Sequence, residues 1–157
     1  MSDPTTNAGG KVSICVTAKN ADLANAAAFA ALTYVEVGNV GKIGQHGFNS
    51  NMVSYPTLDR PLSLKAKGET DGGNFTVECA EDNQDAGQVA MAAAGLPSVT
   101  DSYAVKLEYP NGDIRYLRGP IGGPNFSGGG NQEFRTATFT LGVNQLINVP
   151  ASAPAST

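Results

Sequence analysis

The chain has 157 residues, a net charge of −4, 41% hydrophobic residues and only 15% charged ones. That length suits one domain around a single core. No apolar run approaches the roughly 18 residues of a membrane helix, and the acidic balance argues against tight nucleic-acid binding, which needs clustered Lys and Arg.

Residues 1–10, MSDPTTNAGG, read as a flexible polar arm and lack the apolar h-region of a secretory signal. Lys11 to Thr17 alternates Val12, Ile14 and Val16 with Ser13, Cys15 and Thr17, which predicts a half-buried strand. Residues 20–31, NADLANAAAFAA, fit a short helix or a wrapped loop equally well. Leu32 to Val37 is a second strand, continued by Val40 to Ile43 past Gly38 and Gly41, where a bulge or bend is expected.

Residues 44–51 read as loop. Met52 to Tyr55 and Leu62 to Lys67 are predicted strands joined through Pro56, Thr57, Leu58, Asp59, Arg60 and Pro61. Two prolines make that connection stiff and protruding, and prolines also blunt strand edges. Gly68 to Gly73 is expected to turn the chain into a strand whose inward side is Phe75, Val77 and Cys79.

One helix is expected at about residues 83–94. Asp82 fits its N-cap with Asp85 three residues on, and acids suit that end of the helix dipole. Ala86, Val89, Ala90 and Ala93 share a face, Gly95 fits C′ and Pro97 the stop. Its small side chains predict a plug lying close on one open face or end of the β structure.

Ser102 to Tyr109 alternates as a strand, and Asn111-Gly112 predicts a two-residue type I′ hairpin into Ile114 to Leu117. Residues 120–131 read as loop broken by a short strand around Ile121 to Phe126. Glu133 to Leu141 is a long strand with Ala137, Phe139 and Leu141 on one face, and Leu146 to Val149 is the last. The domain thus spans 11–149, and 150–157, PASAPAST, is a biased tail. Nineteen Gly and nine Pro punctuate these runs, which together predict a mainly β domain with many corners.

Catalytic groups are sparse. His46 is the sole histidine, and with no second His or Cys at ligand spacing it reads as an ordinary loop residue. Gly41, Gly44 and Gly47 lack the Lys-Ser/Thr and the following helix of a phosphate loop. Cys15 and Cys79 sit in apolar runs without metal spacing and read as buried, reduced thiols. Asn74 and Asn125 begin glycosylation sequons that read as chance matches. No enzyme activity, metal or cofactor is expected.

The negative charge is local. Residues 53–95 hold seven acids, Asp59, Glu69, Asp71, Glu78, Glu81, Asp82 and Asp85, against Arg60, Lys65 and Lys67. Some of these acids serve the helix start, which leaves Glu69 and Asp71 foremost among the surplus.

The colinear stretches LTYVEVGNVGKIG, MVSYPTLDRPLSLKAKGETDGGNFTVEC, EDNQDAGQVAMAAAG and YAVKLEYPNGDIRYLRGPIGG resemble the tail tube proteins of long, non-contractile-tailed phages, over about residues 30–149. The type VI secretion tube protein shares that fold family. The resemblance implies a β-sandwich or rolled β-barrel with one flanking helix and extended loops and arms. It further implies hexameric rings stacked into a hollow tube around a tape measure protein, bounded by tail terminator and distal tail proteins. DNA would pass through without specific binding, the protein residing in the virion after assembly in the host cytoplasm.

Under that resemblance Pro56, Thr57, Leu58, Asp59, Arg60 and Pro61 are candidates for contacts between rings, and Glu69 and Asp71 for an acidic lumen wall. An acidic bore would repel phosphate and let DNA slide; an acidic outer surface that keeps the protein soluble fits the same residues. A type VI secretion or gene-transfer-agent tube is the near alternative. A monomeric β-sandwich module binding carbohydrate or peptide is the alternative of another class, weakened by the lack of any Trp for a stacking platform.

Overall fold

A computed structural model describes residues 8–151, so most of the expected N-terminal arm and C-terminal tail lies outside the described residues. Ten strands and two helices follow in the order β1 (Lys11–Cys15), α1 (Ala26–Ala30), β2 (Tyr34–Val37), β3 (Val40–Ile43), β4 (Asn49–Tyr55), β5 (Leu64–Asp71), β6 (Asn74–Ala80), α2 (Ala86–Ala94), β7 (Ser102–Glu108), β8 (Ile114–Phe126), β9 (Thr136–Gly142) and β10 (Gln145–Val149). The architecture is the expected mainly β one, antiparallel throughout, with a flanking helix.

The main sheet runs β2-β1-β7-β8-β9-β6-β3, with β10 also on β8. Its hinge is β8. The first half of that strand pairs with β7 and β10, while its second half pairs with β9, and register shifts between Gly122 and Asn125. Residues 120–131 were expected to be loop broken by a short strand around Ile121 to Phe126, because of Pro120, Gly122, Gly123 and Pro124. Residues 120–126 do not stand apart but continue one 13-residue strand. The residues that break a flat strand are what allow this one to pass from one layer to the other.

The two layers enclose Val12, Ile14, Val37, Val105, Leu107 and Leu117 from one side and Phe75, Val77, Cys79, Phe139 and Leu141 from the other. Strict alternation makes β6 and β9 one-sided, as predicted. β1 differs. It is buried on both faces, because residues 20–33 form α1 and wrap over its second side, where Phe29 stacks on Tyr116 at 5.3 Å beside Cys15 and Ala104. Arg118, almost fully buried, holds this wrap through an ion pair with Asp22 and hydrogen bonds to the Lys19 carbonyl and Gln145. Cys15 and Cys79 are buried and unbridged, on different layers.

Helix α2 forms where expected but begins later and turns another face inward. Its N-cap is Asp85 rather than Asp82: the Asp85 carboxylate accepts from Gln88 N at 3.0 Å and from Gly38 N at 2.9 Å. The buried residues are Gly87, Gln88, Met91 and Ala94, whereas Val89 is half exposed. Gln88 is buried because it bridges the corner after β2 and the end of β6. Its Nε2 donates to the carbonyls of Gly38 and Ala80, and its Oε1 accepts from Asp82 N. The two side chains thereby clamp the Gly38-Asn39 corner, where Asn39 has φ 59° and the chain leaves β2 for the other layer. β3 is therefore not a continuation of β2; it pairs with β6, with the expected irregularity between Val40 and Lys42. Gly95 ends the helix at φ −88°, not in the left-handed region. Its glycine is required by contact, since a Cβ there would collide with the Gly123 carbonyl of β8.

The β7–β8 connection also differs from expectation. Gly112 N donates to the Tyr109 carbonyl and Tyr109 N to the Asp113 carbonyl, and only Gly112 has positive φ, at 96°. This is a three-residue loop, a type I turn followed by a left-handed glycine. Pro110 decides it: proline presets the first central position of a type I turn, shifting the turn one residue back.

Candidate assembly surfaces

β4 and β5 form a separate two-stranded sheet that packs mainly on itself. Their ladder runs from Asn49↔Asp71 at the root to Tyr55↔Leu64, and residues 56–63 close the tip. All six inter-ring candidates, Pro56, Thr57, Leu58, Asp59, Arg60 and Pro61, fall together in that tip loop; Thr57 is half-buried, the others exposed, and Leu58 wholly so. The expected turn at residues 68–73 is instead mostly strand. β5 runs to Asp71, and only Gly72-Gly73 turn, with Asp71 Oδ1 accepting from Gly73 N at 3.0 Å. Glu69 and Asp71 are exposed, as a luminal role requires, but at the root, the other end of the hairpin from the tip candidates.

Residues paired across a ladder share a face. Val53 with Ala66 and Tyr55 with Leu64 therefore make one side of the hairpin apolar, while Met52 with Lys67 and Ser54 with Lys65 make the other basic. Among the described residues the apolar side has no cover: Val53 is 57% exposed, Tyr55 69% and Leu64 42%. An isolated two-stranded ribbon is marginal in water, and a contiguous exposed apolar face marks an interaction surface. This face was missed in reading the sequence for the tip loop, although the alternation of Val53 and Tyr55 about Ser54 was its signal.

The root is anchored. The Gly44 amide donates to the Thr76 carbonyl at 2.7 Å, and the Val143 amide to the Gly73 carbonyl at 3.0 Å. His46 lies against Phe75, edge to face at 5.3 Å. Its Nε2 faces the Arg115 guanidinium at 2.6 Å and its Nδ1 the Gly44 carbonyl at 3.0 Å. With Arg115 donating to Nε2, the proton of the neutral ring sits on Nδ1. Burial foremost, and the neighbouring guanidinium, lower the His46 pKa against the opposing hydrogen bond to Gly44. His46 is thus a structural pin rather than an ordinary loop side chain.

Elsewhere some of the acids of residues 53–95 serve the fold. Asp85 caps α2, and Glu81 pairs with Arg135 at 3.0 Å. Among the described residues no group of three or more His, Cys, Asp or Glu could hold a metal, and no helix is long and apolar enough to cross a membrane.

The geometry is that of a two-layered antiparallel β body with a flanking helix and an amphipathic hairpin that has no partner among the described residues. No family model matches the chain, and no curated protein does. Among solved structures it is similar to a chain of the anti-feeding prophage (AFP) baseplate, determined by cryo-EM and six-fold symmetrised. The TM-score is 0.66 at 9% identity, over 98% of this chain and 100% of that one. At that identity the likeness establishes a shared fold.

Proposed function

We propose that this chain is a structural subunit of a phage tail or phage-like particle, assembling on itself into hexameric rings that stack as a hollow tail tube. The carrying observation is the hairpin, whose apolar face finds no cover among the described residues. The shared fold with a chain of a six-fold symmetrised prophage baseplate supports the setting. The protein acts without catalysis or cofactor. Its partners are other copies of itself, the tape measure protein that the tube surrounds, and the terminator and distal tail proteins at its ends. DNA passes through it in the virion without specific contacts, and Glu69 and Asp71 contribute acidity to the bore.

The baseplate neighbour favours a second reading, a subunit confined to one ring at the end of the tail. Negative-stain electron microscopy of the purified protein separates the two. Tubes are expected for a tube subunit and discrete rings for a baseplate subunit, while a monomer at all concentrations and salt conditions refutes both. Replacing Leu58, Asp59 and Arg60 by a Gly-Ser-Gly run leaves the body folded and shortens or abolishes tubes. Tubes of normal length would remove the tip from the contact.

A further inference from the structure

A second apolar surface lies at the far end of the body from the hairpin root. Val89 and Ala92 on the outer side of α2, Phe126 at the end of β8 and Phe139 of β9 line a groove of about 140 Å3, rimmed by Glu81 and Asp82. Val89 is 50% and Phe126 58% exposed. The hairpin root joins β6 at Asn74, whereas the groove opens beyond Ala80, so the strand separates them by about 20 Å. The wholly exposed Leu58 shows that the hairpin does not fill the groove of its own chain.

We infer that this groove is the seat for the hairpin tip of a second copy, with Leu58 entering between Val89 and Phe126 and Arg60 facing Asp82. The inference deepens the self-assembly reading and rests on it. Two observations converge: an apolar knob meets an apolar hole, and a basic side chain at the tip meets Asp82 on the rim, where the neighbouring Glu81 is already paired with Arg135. The hairpin extends from its root by seven residues of β4 before the loop, about 23 Å. A copy following head to tail is therefore within reach. Because the two surfaces differ, the contact is heterologous and propagates from copy to copy instead of closing as a two-fold dimer.

Paired cysteines test this directly. A disulfide forms only when Cα atoms come within about 7 Å, and both native cysteines are buried and do not compete. The double variant Leu58→Cys/Val89→Cys, assembled and then mildly oxidised, is expected to give a ladder of covalent multimers on a non-reducing gel. Either single variant stops at dimer. Assemblies visible by electron microscopy without a ladder would overturn the groove as the seat and leave self-assembly standing. Absence of both would overturn the two together. As a second measurement, Val89→Glu is expected to raise the concentration needed for assembly at least tenfold with unchanged circular dichroism. An unchanged threshold also overturns the inference.

Discussion

Replacing Tyr55 by Ser tests whether the apolar side of the hairpin is an interface or merely solvated. Tyr55 is 69% exposed and paired only with Leu64 across the hairpin. A tyrosine presents about 200 Å2, so its exposed part is about 140 Å2. At about 25 cal/mol per Å2, full burial in a contact contributes at most about 3.5 kcal/mol. Ordering the ring costs about 1 kcal/mol and coverage at an interface is incomplete, which leaves about 2 kcal/mol. That is roughly 30-fold in the association constant. Tyr55→Ser is therefore expected to raise the threshold concentration for assembly, measured by light scattering, about 30-fold. Stability of the unassembled chain should stay within about 0.5 kcal/mol, since nothing in the body rests on this ring. Lys65→Ser, on the opposite face, controls for disturbance of the hairpin as such and should shift the threshold far less. Assembly of Tyr55→Ser at the parent concentration would refute the reasoning, and so would a large loss of stability before assembly.

Two further outcomes probe the body and the root. Gln88→Met removes three hydrogen bonds, to Gly38, Ala80 and Asp82, at about 1 kcal/mol each. A loss of about 3 kcal/mol in urea unfolding is expected, or roughly 6–12 °C for a domain of this size, and less than about 1 kcal/mol would show the bridge to be incidental. His46 has a pKa lowered from the usual 6.5, so the unfolded chain takes up its proton first as pH falls. Its contribution to stability is complete above pH 6.5 and is lost as pH falls from there through the lowered value. The wild type should thus lose stability relative to His46→Gln across that window, as read from urea midpoints at pH 7.5, 6.0 and 5.0; parallel pH profiles would dismiss the pin.

Much of the body was legible because one-sided strands write their burial into alternation. Val77, Cys79, Phe139 and Leu141 point inward as their spacing requires. The failures share a cause: a long-range partner outweighed the local signal. α2 buries Gln88 and exposes Val89, reversing hydropathy, because Gln88 satisfies the carbonyls of Gly38 at the corner after β2 and of Ala80 on β6. Asp82 has as good a local claim to the cap as Asp85, but only Asp85 also receives the Gly38 amide. The strand around Ile121 to Phe126 read as a separate short one because a sequence does not show that β8 must continue through Pro120 to cross between layers. The hairpin's uncovered face is the instructive case. Its alternation was visible in Val53, Tyr55 and Leu64, but alternation predicts a covered side without naming the chain that covers it.

The same point distinguishes body from hairpin energetically. The body closes its own core, and its terminal strands β2 and β3 are only four residues long, with β3 irregular at Gly41. Such edges offer little ladder to a second copy. The hairpin offers much more: 7- and 8-residue strands, one apolar face, and Lys65 and Lys67 on the other. Those lysines and the register shift near Gly68 discourage indiscriminate strand pairing, so contacts through the hairpin depend on side chains and hence on a matching surface. A contact that depends on complementarity at two distant places fixes direction as well as affinity, and direction is what a polar stack of identical subunits requires.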